Sequence, residues 1–225
     1  MKELDLSYNP LGDVVDLPSE LENLKVDYRG ENRTNQGLRK YISDASELTL
    51  DPSTANCFLS LSEGKREVTR QREMKHYPST QERFDKCNQV LCKEGLCGRH
   101  YLEVECLHDV HIGMAYKQLE RKGAGDNVKL GRNAVSWTLC ASKDKFHAQH
   151  KNNIHNLRLP EIKSNESYRI GVFLDWPAGI LSFYNISSES DKLIHLYAFH
   201  TTFTEPLYLG LRLQSPTSTI SLIVK

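Results

Sequence analysis

From about residue 45 onward, apolar and polar positions alternate over short runs rich in β-branched and aromatic residues, and Gly, Pro, Asn, Asp or Ser closes each run. The stretch "VFLDWPAGILSFYN" (172–185) shows the pattern most fully. Ile170, Val172 and Leu174 share one face of a strand, the chain reverses at Trp176-Pro177-Ala178-Gly179, and Leu181 and Phe183 share one face of the return. Proline fixes φ in that corner and glycine supplies the freedom the turn needs. Runs of this kind predict strands near 57–62, 66–72, 88–92, 100–106, 110–116, 135–141, 168–175, 180–186, 193–199, 207–213 and 218–224. No segment after residue 45 sustains a helical apolar stripe over three turns, so the pattern predicts an all-β sandwich or barrel.

The first 28 residues follow a different rule. Met1, Leu4, Leu6, Asn9 and Leu11 fit the leucine-rich-repeat frame, and Leu21, Leu24 and Val26 restart it. One such unit cannot bury its own apolar edge, so residues 1–28 read as a remnant of a longer repeat array. Residues 29–43, polar and glycine-bearing, read as a linker, which leaves 44–225 as the main domain.

Composition removes several functions. Lys+Arg and Asp+Glu both number 29, so the chain lacks the broad positive field that nucleic acid or an anionic membrane would require, and neither is expected as a partner. It has no run of 18 apolar residues and no basic-then-apolar signal at its start, which points to a cytoplasmic address. The six cysteines are then expected as reduced thiols.

Five stretches carry a family resemblance: "ELTLDPSTAN" (47–56), "LSLSEGKREVTR" (59–70), "YPSTQERFDKCNQVLCKEGLCGRHYLEVEC" (77–106), "RIGVFLDWPAGILSFYN" (169–185) and "FTEPLYLGLRL" (203–213). Together they resemble the PRY-SPRY domain of tripartite-motif proteins, butyrophilins and the fish NOD-like receptors. The motif residues are Leu50, Asp51 and Pro52, then Glu103 and Glu105, then Leu174 and Asp175. A leucine-rich-repeat tail directly ahead of the domain matches the arrangement of the fish NOD-like receptors, which are cytosolic innate-immune proteins. The resemblance implies a β-sandwich of two antiparallel sheets, with PRY at about 44–95 and SPRY at about 96–225. It also implies a non-catalytic module, without cofactor, that binds a protein partner through its loops. Two departures stand out: Leu102 replaces a usual tryptophan, and the loop at 107–110 is short. A drifting, inert receptor copy is therefore one alternative reading.

Candidate chemistry is sparse. No G-x-S-x-G, H-E-x-x-H, P-loop or G-x-G-x-x-G is present. A catalytic acid needs a partner base or nucleophile, and the sequence supplies none for Asp175, so this carboxylate is expected to satisfy turn N–H groups, as is Asp51. Cys87, Cys92 and Cys97 with His100 fit zinc spacing only at its edge, and His147, His150 and His155 lack a carboxylate companion; no metal is expected. The connection "ERKGAGDNVKLGRN" clusters Arg121, Lys122, Lys129 and Arg132 beside Asn133. It is the candidate contact surface for an acidic patch of a protein, or alternatively a basic pocket for a small phosphorylated ligand, since arginine makes bidentate contacts to carboxylate or phosphate. Cys140 and Ser142 match positions where a tripartite-motif relative contacts antibody through tryptophans, a ligand this chain is not expected to share. With Phe146 they complete the candidate contacts, placed on loops at 107–110, 121–133, 142–156 and 212–219. Trp137, between small and apolar residues, is expected in the core.

Overall fold

The computed structural model describes residues 48–142, 145–158 and 166–223. The leucine-rich frame of 1–28 and the linker of 29–43 lie outside the described residues. The remainder folds into thirteen strands, with no helix among the described residues. These are β1 (Leu59–Leu61), β2 (Glu67–Arg70), β3 (Gln89–Leu96), β4 (Arg99–Leu107), β5 (Val110–Tyr116), β6 (Ser136–Ala141), β7 (Phe146–His150), β8 (Asn153–Leu157), β9 (Tyr168–Asp175), β10 (Ile180–Ile186), β11 (Leu193–His200), β12 (Leu207–Leu213) and β13 (Thr219–Ile223).

Two antiparallel sheets result. One has seven strands in the order β1-β2-β13-β4-β9-β10-β11, and the other six in the order β3-β12-β5-β6-β7-β8. The strands before residue 97 thus occupy outer positions, with β1 and β3 at the edges. Alternation sets the layers. Leu102, Val104 and Cys106 of β4 enter a shared core with Ile112 and Met114 of β5, Leu209 and Leu211 of β12, and Trp137 and Leu139 of β6. This interdigitation of two inner faces is the expected source of sandwich stability. Leu50 is fully buried and bridges Cys92, which carries the segment ahead of β1 onto the second sheet.

Both departures from the family pattern are accommodated locally. Leu102 is 5% exposed within the main core. The short β4–β5 connection turns through His108, at φ +62°. It is tied down by the Tyr168 hydroxyl, which donates to His108 O at 2.9 Å, and by Ser215 Oγ, which donates to Asp109 Oδ2 at 2.6 Å.

The segment 142–156, expected as a contact loop, instead contains β7 and β8, which extend the six-stranded sheet. Phe146 and Ala148 point into the core, and the chain reverses at Lys151 and Asn152, whose φ values of +48° and +64° suit a tight hairpin. Beyond this, β3 runs through Leu96, further than its apolar run predicted.

Candidate functional site

The outer face of the six-stranded sheet is divided by the β5–β6 connection, residues 117–135. Phe84, Leu91, Ala115, Leu119, Val128 and Leu130 form a second buried cluster where this connection meets the sheet and the segment before β3. Gln89, fully buried on β3, donates its amide to Val128 O at 2.9 Å and accepts from Leu130 N–H at 3.1 Å. Gly131 sits at φ +79°, where an added Cβ would lie 2.2 Å from Thr138 Cγ2 and 2.9 Å from Gln149 O. Only glycine lets the backbone approach the sheet so closely. Arg132 follows directly and is delivered to the rim of the uncovered half.

That half is a cleft of about 240 Å³. Strand register lays its floor: His111 of β5 pairs with Cys140 of β6 and Cys140 with His147 of β7, while Arg212 of β12 pairs with His111 and adjoins that floor. Arg132, Lys145 and Ile154 stand at its sides, with Ser142 and Gln214 also lining it. Cys140 Sγ lies 2.7 Å from His111 Nδ1, and the Gln214 side-chain amide reaches His111 Nε2. An amide nitrogen can only donate, so Nε2 accepts and the proton of the neutral ring sits on Nδ1, aimed at the sulfur. Burial, with Arg212, His147 and Arg132 nearby, holds the His111 imidazole well below the ordinary histidine range. Burial also pushes the Cys140 thiol up to about 12. The pair is therefore neutral, and the sulfur is not an activated nucleophile.

The basic connection does not present its charges as the sequence predicted. Arg121 is 7% exposed; its guanidinium donates to Leu119 O and to Lys117 O (3.0 Å) and lies 4.9 Å over the Phe84 ring. Lys122 Nζ donates to Thr80 O and Arg83 O at 2.7 and 2.8 Å. These two side chains clamp the segment before β3 to the connection, Arg121 from a buried position and Lys122 from an exposed one. Asn133 is occupied within the loop, donating to Lys129 O at 2.8 Å and accepting from Ser136 Oγ at 2.7 Å. Lys129, half-buried, contributes its carbonyl to that turn. Phe146 is fully buried and cannot contact a partner. Of the expected contact residues, the fold brings Arg132, Cys140 and Ser142 together at the cleft, with Cys140 as floor rather than exposed anchor. Gln214 joins them from the expected contact loop 212–219 with Arg212 at the start of that loop, and His111 joins from a strand that reads only as core in the sequence.

The motif residues are structural. Asp175 is fully buried; Oδ2 accepts from Arg99 Nε at 2.7 Å and Oδ1 from Ala178 N–H at 3.1 Å, which fixes the β9–β10 corner. Leu174 beside it is in the core, as is Trp137, whose ring stacks on His150 at 4.7 Å. Asp51 Oδ1 accepts from the N–H and hydroxyl of Ser53, and Pro52 O accepts from Arg83. Glu103, on the outer face of the seven-stranded sheet, accepts from the Tyr101 hydroxyl at 3.0 Å, and Glu105 accepts from Ser167. Cys92 enters the main core while Cys87 joins the second cluster, so the two thiols diverge. Among the described residues, no group of three or more His, Cys, Asp or Glu is placed to hold a metal ion.

The family is decided by two matched models. Residues 48–96 match the SPRY-associated domain PRY, and residues 99–223 match the SPRY domain. The chain belongs to the SPRY family. This is a family of protein-interaction modules, generally without catalysis. The stonustoxin alpha subunit of Synanceia horrida is 40% identical over 167 residues, 73% of this chain and 23% of that protein. Tripartite motif-containing protein 16 of Mus musculus is 32% identical over 199 residues, 87% of this chain and 34% of that protein. The chain thus spans about a quarter to a third of these relatives. Among solved structures, stonustoxin superposes with a TM-score of 0.75 at 35% identity, covering 84% of this chain and 30% of that one. The PSpry domain of TRIM65 gives 0.73 at 28% identity, covering 87% of this chain and 98% of that one. The two-sheet SPRY sandwich is therefore the fold of this chain.

Proposed function

We propose that the chain is a non-catalytic recognition module that binds a protein partner through the cleft on the outer face of its six-stranded sheet. The observation that carries this reading is the polar row His111–Cys140–His147, with Arg212 adjoining it, which floors an open cleft on the sheet where the 117–135 connection stops. Neither described candidate supports a catalytic reading: Asp175 is consumed by Arg99 and its turn, and Cys140 stays a thiol. A parent of the NOD-like innate-immune type, in the cytoplasm, rests on the leucine frame of residues 1–28 ahead of the domain. A second reading makes this the recognition domain of a toxin-like chain, favoured by the 40% identity to the stonustoxin alpha subunit.

The test is affinity capture with the full chain beside a Ser142→Trp variant, which fills the rim of the cleft. A protein retained by the wild type and lost from a folded variant supports the reading. An identical captured set overturns it, and the identity of the lost protein separates an immune-signalling role from a toxin-like one.

A further inference from the structure

Among the described residues the cleft collects more positive charge than counter-charge. Arg132 and Lys145 line it, Arg212 adjoins its floor, and among the described lining residues Asp109 is the one carboxylate. Asp109 Oδ2 already accepts from Ser215 Oγ at 2.6 Å. Among the described residues Arg132 is paired to Asp126 at 3.3 Å, with both side chains more than 40% exposed. The chain as a whole is neutral, with 29 basic and 29 acidic residues, so this concentration of charge is local.

Hydrogen bonding points the same way. Arg132 Nε, Arg212 Nη1 and His147 Nδ1 are all buried and have no partner among the described residues. A buried guanidinium N–H left unpaired costs about 1–3 kcal/mol or more. The two guanidinium nitrogens are donors awaiting an acceptor, and His147 Nδ1 joins them in the tautomer that protonates it. The cations also oppose one another: burial and then the Arg132 charge hold Arg212 below its ordinary range, and burial with Lys145 and Arg132 does the same to His147. An incoming anion relieves both penalties.

Size limits the ligand to a small group. At about 240 Å³ the cleft falls below the roughly 300–1,000 Å³ of pockets that enclose drug-sized ligands. It suits one or two inserted side chains. Ile154, 49% exposed at its edge on β8, offers apolar contact to the chain that carries them.

We infer that the cleft takes an acidic segment of the partner protein, its carboxylate held by the guanidinium groups of Arg132 and Arg212. This rests on the recognition reading above and names the chemistry of its partner. Arginine forks match a carboxylate bidentately, and such charge-assisted bonds are the strong ones.

The test is fluorescence polarisation of the full chain with a labelled hexaglutamate peptide, a hexalysine control and unlabelled pyrophosphate as competitor. The expected result is saturable hexaglutamate binding that weakens at least about tenfold in Arg132→Gln, whose melting temperature is unchanged. Lys93→Gln, on the far edge strand β3, is expected to bind like wild type. Hexaglutamate binding that is absent, matched by hexalysine, or insensitive to Arg132→Gln overturns the inference, as does tight pyrophosphate binding without peptide binding. If Ser142→Trp still loses a captured protein while Arg132→Gln retains it, the recognition reading stands and only the acidic partner falls.

Discussion

Cys140 Sγ and His111 Nδ1 face each other at 2.7 Å across β5 and β6, and the Gln214 amide on the far side of the imidazole fixes which nitrogen holds the proton. The sulfur therefore receives a hydrogen bond from a neutral ring instead of giving its proton to one. A cysteine beside a histidine usually invites a reactive-thiol reading, but here burial dominates and lifts the thiol to about 12. Iodoacetamide at pH 7.5 should accordingly label exposed Cys97 first, with Cys140 slower by at least about tenfold, because the thiolate fraction sets the rate. Peptide mass spectrometry over a time course measures both. Equal labelling rates in the folded protein would mean that the pair is an activated one.

Arg121 and Arg132 belong to the same basic connection yet do opposite things. Arg121, buried over Phe84 and bonded to two backbone carbonyls, is part of the fold. Arg121→Ala should cost about 2–4 kcal/mol through lost charge-assisted bonds and cation–π contact. In a domain of this size that lowers the melting temperature by roughly 5–15 °C. Arg132→Ala breaks only an exposed pair and should shift stability by less than about 1 kcal/mol. Thermal unfolding of the two variants side by side decides it, and equal losses would contradict the assignment of Arg132 to the cleft rim.

Legibility in the sequence followed how local the physics was. The β9–β10 hairpin could be read because Ile170, Val172 and Leu174 alternate into a Pro-Ala-Gly corner, and the structure pairs Leu174 with Leu181 across it. The β7–β8 hairpin was hidden because its inward positions are Phe146, Ala148 and His150, a mixed set, and because its turn is made by Lys151 and Asn152 without glycine. Asn152 at a left-handed φ was the available signal. The cleft was harder still. His111 lies between Val110 and Ile112 and reads as an interruption in a core strand, while Arg212 interrupts an apolar run where the expected strand 207–213 overlaps the expected contact loop 212–219. Only the register of β12, β5, β6 and β7 shows that these interruptions share one outward row. Arg121 failed for the converse reason: charge runs usually face solvent, and its burial depends on Phe84, from a distant part of the chain.

Acidification should destabilise the domain through its histidines. Burial is the first cause lowering the pKa of His111, His147 and His150; around His111 it is reinforced by Arg212 from β12, His147 from β7 and Arg132 from the 117–135 connection. The other groups against the ring, Cys140 on β6 and Gln214 after β12, are neutral and add no opposing charge. A histidine whose folded pKa is depressed binds fewer protons than the unfolded chain. Its contribution is therefore complete above the unfolded value of about 6.5 and is lost as pH falls below it. Each such histidine removes up to about 1.4 kcal/mol per pH unit within its window. The melting temperature should thus hold between pH 8 and 7 and fall by several degrees from 6.5 to 5.5. His111→Gln should flatten that slope, since protonating Nε2 also breaks the Gln214 bond, whereas a glutamine carries no proton to gain. An acidic peptide in the cleft should oppose the fall, because an anion beside His111 and His147 raises their proton affinity. By the same linkage, hexaglutamate should bind more tightly at pH 6 than at pH 7.5. Melting curves that are flat down to pH 5.5, or equally steep in His111→Gln, would show that the ring is not the titrating group.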